Sequence, residues 1–262
     1  MQFHQNNAIR YGTFEGLDDR AGLRHAVFTR AGGVSPEPWA SLNQGGTVGD
    51  EREHVIENRK RAFDAVELEV ESIYDVWQVH GTDYICAESP RPLDQPHQKA
   101  DIILTQKPGI TLFMRFADCV PILLFDPVKR VVGLAHAGWQ GTVKQVPLHA
   151  VKTMQGTFGS KPADIIACVG PSIGPDHYEV RYDVISQVEA TFGADSKELL
   201  SGKDGKTFLN LWRANELTLL GVGVSKIEIA GICTACHTED WYSHRAEKGK
   251  TGRFGALISL LA

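Results

Sequence analysis

Along the 262-residue chain the spacing of apolar positions changes period several times. After Asp50 the run EREHVIENRKRAFDAV repeats at helical spacing to about residue 66, and Asp50 with Glu53 has the form of a capping box. Short β-branched and aromatic runs follow: IYDVWQV (73–79), ADIILT (100–105), ITLFMRF (110–116), PILLFD (121–126) and VVGLAHA (131–137). ADIIACVG (163–170), KIEIAGIC (226–233) and FGALISLL (254–261) extend the set. Helical patterns are predicted at about 142–158, 183–193 and 209–221, with Pro147 an irregularity in the first. The stretch SPRPLDQPHQK (89–99) reads as a long loop. Strands outnumber helices and do not alternate strictly with them. That pattern predicts an α/β fold with a mixed sheet, not a regular doubly wound one. No repeat or linker interrupts it, so residues 1–262 are expected to form a single domain.

Composition narrows the classes. Hydrophobic residues make up 42% and charged residues 23%, with net charge −5, which excludes disorder as the main state. No apolar run spans a membrane: FGALISLLA ends after nine residues, against roughly 18–20 needed. The start, MQFHQNNAIRYGTFEG, lacks the parts of a signal peptide, so a cytoplasmic location is expected. The acidic balance argues against nucleic acid as a partner. Two basic clusters, NRKR (58–61) and SHRAEKGKTGR (243–253), read as a solvated helix face and a surface loop, the second kept as an anion site. Cys86, Cys119, Cys168, Cys233 and Cys236 are an odd number without an export signal. Free thiols or metal ligands are expected rather than a disulfide framework.

Several short patterns fail on inspection. CTACH (233–237) has the form that attaches haem, but that chemistry belongs outside the cytosol; neither haem nor a Cys233–Cys236 disulfide is expected. GKT at 205–207 and 249–251 lacks the upstream glycine of a phosphate-cradling loop, with Leu200 and His244 in its place. GPSIG (170–174) fits a nucleophile elbow around Ser172, yet Pro171 and Pro175 bracket the serine and no helix pattern follows. A dinucleotide fingerprint is absent.

Three segments remain: WQVHGTD (77–83), FADCVPILLFD (116–126) and GLAHAGWQGT (133–142). They offer His80, Cys119 and His136, and two histidines with one thiolate are the donors of a catalytic zinc site with an open position. Gly81, Ala135, Ala137 and Gly138 leave room for a metal, and Asp118 and Asp83 are candidate supporting carboxylates. Taken singly, Cys119 reads equally as a small buried hydrophobe and each histidine as a satisfied polar residue.

Read in order, the motifs FTRAGGVS (28–35), SLNQG (41–45), VGD (48–50), ENR (57–59), QVHGTD (78–83), ADCVPILL (117–124) and AHAGWQGT (135–142) resemble the YfiH, or laccase-domain, family. GPSIGPDHYEV (170–180), ICT (232–234), YSHR (242–245) and TGR (251–253) continue the resemblance across nearly the whole chain. The resemblance implies a layered α/β/β/α fold and a zinc ion, with copper as the alternative, held by His80, Cys119 and His136. It also implies phosphorolysis of adenosine, inosine, guanosine and methylthioadenosine, with adenosine deamination alongside, and it explains GPSIG as a turn. On that reading Cys119, Asp118 and Arg59 are catalytic candidates, Arg59 or Arg245 neutralises phosphate, and Asn43 holds ribose or base. Two other classes compete. A copper polyphenol oxidase normally needs paired H-x-H ligands, which the sequence lacks. A Cys119–His136 amidase that edits peptidoglycan precursors would use the thiol as nucleophile. The sequence does not fix the oligomeric state.

Overall fold

The computed structural model describes residues 1–18, 22–92 and 94–261; Leu93, inside the loop expected at 89–99, lies outside the described residues. Strands β1 (Gln2–Asn6), β2 (Ile9–Thr13), β3 (Leu23–Phe28), β4 (Ile73–Asp75), β5 (Tyr84–Cys86), β6 (Ile102–Thr105) and β7 (Thr111–Phe116) come first. They are followed by β8 (Val120–Asp126), β9 (Val131–Ala137), β10 (Ile166–Val169), β11 (Glu179–Val180), β12 (Leu200–Lys203), β13 (Lys206–Leu209), β14 (Lys226–Ile229) and β15 (Phe254–Leu260). The helices are α1 (Glu15–Asp18), α2 (Arg52–Ala65), α3 (Trp139–Val143), α4 (Val146–Phe158), α5 (Tyr182–Phe192), α6 (Ser196–Leu199) and α7 (Leu211–Gly221).

Two mixed sheets of six strands form the middle of the molecule, in the orders β1-β2-β3-β15-β7-β4 and β14-β10-β8-β9-β6-β5. Their facing sides share one core, in which Leu112, Met114 and Ile258 of the first sheet meet Leu123, Val132 and Leu134 of the second. On the outside of the first sheet, Ala62 and Phe63 of α2 pack on Phe28, Phe113 and Leu257. On the outside of the second, Ala150 and Met154 of α4 and Ala214 and Leu219 of α7 cover Ile102, Leu104 and Ala135. The layers are therefore α/β/β/α. A third, three-stranded sheet, β11-β13-β12, sits apart from both.

Burial on both faces explains why β8 and β9 are continuous apolar runs. Period two still governs them: Val132 and Leu134 of β9 face the inter-sheet core, while Val131, Ala135 and Ala137 face the helices. His136 shares the parity of Val132 and Leu134, so it points inward between the sheets. One connection matters most for function. β7 lies in the first sheet and β8 in the second, so residues 117–119 cross from one sheet to the other.

Several local expectations are corrected. The helix after Asp50 forms, but no side chain caps it. Asp50 instead accepts from Ser35 Oγ (2.6 Å), Asn43 Nδ2 (2.8 Å) and Glu51 N–H (2.8 Å), so the loop before the helix consumes the proposed cap. The helix expected from 142 breaks at Gln145, whose φ is 57°, and α4 restarts with Pro147 in its first turn, where a missing N–H costs little. The strand expected over 73–79 stops at Asp75, and the one over 226–233 stops at Ile229. In the first case the chain turns away so that residues 79–81 can meet a buried carboxylate, described below.

One buried histidine gives the fold an acid limit. His25 on β3 accepts the Phe14 N–H at Nε2 (2.8 Å), which a protonated Nε2 cannot do. Burial, with His4 nearby, lowers its pKa from 6.5 to about 3. The unfolded chain therefore binds this proton first, and stability is expected to fall as pH drops below 6.5 toward 3. Between pH 6.5 and 5 the loss is about 2 kcal/mol. Urea unfolding of the parent and of His25→Gln checks this: the variant is less stable at neutral pH but loses less over that interval. Parallel pH profiles would contradict it.

Candidate metal centre

His80, Cys119 and His136 converge. Their ligand atoms all lie within 4.8 Å of one another, and Cys119 Sγ stands 3.9 Å from His80 Nε2. Each comes from a different part of the scaffold. Cys119 ends the crossover between the sheets, His136 lies near the end of β9, and His80 follows β4 in an irregular loop. The two imidazoles meet edge to face with centroids 4.9 Å apart, and Phe116 packs on His136 at 5.5 Å. The backbone is held in unusual conformations beside the ligands: φ is 59° at His80 and 80° at Asp118. Such conformations for residues other than glycine persist where surrounding contacts enforce them.

At His80 the conformation is held by Asp101, a residue that no sequence motif singles out. Its buried carboxylate accepts from His136 Nδ1 (2.8 Å) and from the backbone N–H groups of Val79 (3.1 Å), His80 (3.1 Å) and Gly81 (2.6 Å). One carboxylate thus fixes the histidine on β9 and the loop carrying the other histidine. Burial pushes the Asp101 pKa up, but the His136 contact and the backbone donors outweigh it, and the net shift is down. With Nδ1 committed to Asp101, His136 presents Nε2 to the centre. Asp83 is exposed and contributes only its carbonyl, to Asp101 N–H (3.1 Å) and Ile102 N–H (3.2 Å). Its carboxylate does not take the supporting role expected of it.

Without a metal, the trio carries a thiolate–imidazolium pair. Burial alone raises the Cys119 thiol, but the adjacent His136 charge and hydrogen bonds from both histidines bring it down to about 6. Burial alone lowers His136, but the Cys119 thiolate and Asp101 raise it to about 9. A deprotonated sulfur and two convergent imidazoles suit a zinc-class or copper-class ion, so the donor set fits the metal that the resemblance implies.

Among the small residues beside the ligands, Gly138 has the clearest reason to be small. The β8–β9 register pairs Val120 with Ala137, which sets Cys119 opposite Gly138. A Cβ on Gly138 would lie 2.7 Å from Cys119 Sγ and 3.2 Å from His80 Cδ2. Its φ of −70° suits any residue, so the constraint is purely one of space. Gly138→Ala is expected to weaken metal binding by about 1–3 kcal/mol, the usual cost of overpacking. Gly81→Ala, whose Cβ would stand 3.5 Å from Asp101 Oδ2, is expected to bind as the parent does. Competition with a chromogenic chelator measures both, and equal affinities would refute the assignment.

The other candidates fall elsewhere. Asp118 is buried and accepts from Thr234 Oγ1 (2.7 Å) and the Arg245 N–H (2.6 Å), so both of its oxygens are engaged. Arg59 contacts the Gln44 carbonyl (Nη2, 3.0 Å), Asp75 (3.6 Å) and the Phe113 ring, none of them in the trio. Asn43 is fully buried and spends its amide on Gly45, Asp50 and the Arg253 N–H, leaving no atom free for ribose or base. The SLNQG and ENR motifs thus build a loop: Asn58 likewise joins Ser35, Ser41 and Asn43. Ser172 is buried and accepts from Trp212 Nε1 (2.6 Å), as a turn residue and not a nucleophile.

Arg245 is placed differently. Its guanidinium lies over the Tyr178 ring at 5.0 Å, and both line a cleft of about 390 Å³ with Trp139, Arg181 and Asp183. Burial raises the Tyr178 pKa, and the Cys119 charge is the next cause. No helix among the described residues is long and apolar enough to cross a membrane.

A family model described as "Multi-copper polyphenol oxidoreductase laccase" matches residues 24–261. The chain belongs to the YfiH, laccase-like family. Among family members, the purine nucleoside phosphorylase of Deinococcus radiodurans is 39% identical over 236 residues, covering 90% of this chain and 88% of that protein. The purine nucleoside phosphorylase YlmD of Bacillus subtilis is 36% identical, covering 88% and 86%. The crystal structure of YlmD from Geobacillus stearothermophilus superposes with a TM-score of 0.92 at 33% identity and 99% coverage of both chains. That of Bacillus licheniformis YfiH gives 0.91 at 31% identity, with 98% of both covered. The layered fold described above is therefore the YfiH fold, and relatives of this chain carry the name purine nucleoside phosphorylase.

Proposed function

We propose that this protein is a cytoplasmic, zinc-dependent purine nucleoside phosphorylase acting on adenosine, inosine, guanosine and methylthioadenosine, with adenosine deamination in the same site. The observation that carries this reading is the convergence of His80, Cys119 and His136, with Arg245 of the cleft tied through its N–H to Asp118, the chain neighbour of Cys119. The three side chains would hold the ion, which when bound supplies a Lewis acid for phosphate or the leaving base and a site at which water is activated.

The chain's own residues do the rest. Phosphate must reach the anomeric carbon while the glycosidic bond breaks with oxocarbenium character. Arg245 and Arg181, both exposed in the cleft, neutralise the entering dianion, and Trp139 with Tyr178 offers aromatic faces to the purine. Asp101 keeps the His136 proton on Nδ1. Asp118 positions the Arg245 loop through the 245 N–H instead of acting as a free base. A panel of nucleosides with and without phosphate tests the proposal: ribose 1-phosphate is expected only with phosphate, and free ribose formed at equal rates in both would overturn it.

One observation favours a second reading. Cys119, His136 and Asp101 also stand as nucleophile, base and orienting carboxylate, the arrangement of a thiol hydrolase such as a peptidoglycan-precursor amidase. That reading predicts activity in metal-free protein that alkylation abolishes. Copper oxidation of phenols, in keeping with the family model's description, predicts copper rather than zinc in protein purified without added metal.

A further inference from the structure

A second cluster of ligand-type side chains lies outside the trio. Asp176 and His177 come from the turn after Gly174, and Cys233 and Cys236 come from the CTACH segment; one ligand atom from each falls within 4.8 Å of all the others. The two segments are stitched together by Ser172 N–H to Ile232 O (3.2 Å) and Thr234 N–H to Ser172 O (3.0 Å). We propose that Asp176, His177, Cys233 and Cys236 form a second, structural metal site for a zinc-class divalent cation.

The spacing argues for it. A tetrahedral ion with metal–sulfur bonds of about 2.3 Å and metal–nitrogen or metal–oxygen bonds of about 2.0–2.2 Å sets its ligand atoms roughly 3.3–3.8 Å apart. Here His177 Nδ1 lies 3.4 Å from Cys236 Sγ and 3.8 Å from Cys233 Sγ, and Asp176 Oδ2 lies 3.2 Å from Cys236 Sγ and 3.1 Å from His177 Nδ1. All four separations fall within a few tenths of an ångström of that range. The donor set, two sulfurs with one imidazole and one carboxylate, matches zinc-class chemistry. Cys233 is already dressed as a ligand sulfur, since the Gly174 N–H donates to it at 3.1 Å. Gly174 is hemmed in there: a Cβ would lie 2.6 Å from Asp176 Oδ1 and 2.9 Å from Cys233 Cβ. The histidine of CTACH itself, His237, turns away to Glu239 (3.2 Å), so both remaining ligands beside the Cys-x-x-Cys pair, Asp176 and His177, come from another loop.

The site has a reason to exist where it does. Thr234, next to Cys233, donates to Asp118, and Asp118, next to Cys119 in the chain, also accepts the Arg245 N–H. An ion at Cys233 would pin the loop that holds this brace. The bond count closes simply: the two thiols lose their protons as they ligate, the neutral imidazole offers its Nδ1 lone pair and the carboxylate an oxygen, and the ion gains four ligands without redox chemistry.

Metal analysis of full-length protein purified without chelator tests it, with parent, His80→Ala, Cys236→Ser and Asp176→Asn compared at equal melting temperature by thermal scan. The parent is expected to hold two zinc per chain, and His80→Ala and Cys236→Ser one each. Asp176→Asn is expected to lose its ion at lower chelator concentration. In His80→Ala, zinc is expected to protect Cys236 from iodoacetamide more than tenfold, and chelation to remove the protection. Equal zinc in parent and Cys236→Ser, or equal alkylation with and without zinc, would overturn the site, as would a Cys233–Cys236 disulfide in reduced cytosolic extracts. A parent with one zinc that Cys236→Ser loses would support this site while counting against the trio.

Discussion

Replacing Cys119 by serine is expected to strip most of the metal from the trio and to lower turnover of inosine with phosphate by about 10²-fold or more. A hydroxyl is a poor partner for a soft divalent ion beside a thiolate, and two imidazoles alone hold it weakly. If the ion contributes roughly 3 kcal/mol to the transition state, its loss costs two orders of magnitude in rate. Phosphorolysis and adenosine deamination are expected to fall together. Melting temperature is expected to change less, because the inter-sheet core is built from residues such as Leu112, Leu134 and Ile258 that do not depend on the ion. The thiol-hydrolase reading gives another pattern: Cys119→Ser inactive and His80→Ala substantially active. Metal content, melting temperature and turnover of both variants separate the two. Cys119→Ser that has lost its metal yet works at the parent rate would refute the account.

Asp101→Asn is expected to weaken metal binding by about 10–100-fold, the usual effect of removing the partner that orients a ligating histidine. The change keeps the shape but turns one acceptor into a donor. That donor would face either His136 Nδ1 or the N–H groups of Val79 and Gly81, which now share the carboxylate. A buried donor left without an acceptor costs about 1–3 kcal/mol, so the melting temperature is expected to drop as well. Chelator competition and thermal unfolding read both effects. Unchanged affinity would mean that Asp101 supports the fold but does not orient the centre.

The buried strands were legible because continuous apolar runs such as PILLFD and VVGLAHA admit few alternatives, whereas the layering followed from the family resemblance alone. The hairpin of β12 and β13 was overlooked, although Asp204 and Gly205 at its tip, with φ of 53° and 72°, are the favoured pair for a two-residue turn. In the sequence Gly205 stands out as the start of the GKT of a phosphate loop. His80, Cys119 and His136 stand out because two histidines and a thiolate are the donors of a zinc site and each lies in or near a strand-like run, and the family resemblance points to the same trio. Asp101 was missed because its role rests on backbone donors of residues 79–81, which spacing cannot bring to mind. Asn43 and Arg59 mark the opposite limit. A recognisable motif locates a residue but not the direction of its side chain, and both point into the scaffold.

The central claim is that phosphorolysis depends on an ion held by the trio. It is tested most directly by ribose 1-phosphate formation from inosine, measured on parent and His80→Ala protein before chelation, after it, and after zinc is returned. The account predicts that the parent loses its activity on chelation and regains it with zinc, while His80→Ala stays inactive throughout. Metal-free parent protein forming ribose 1-phosphate at the original rate would contradict it.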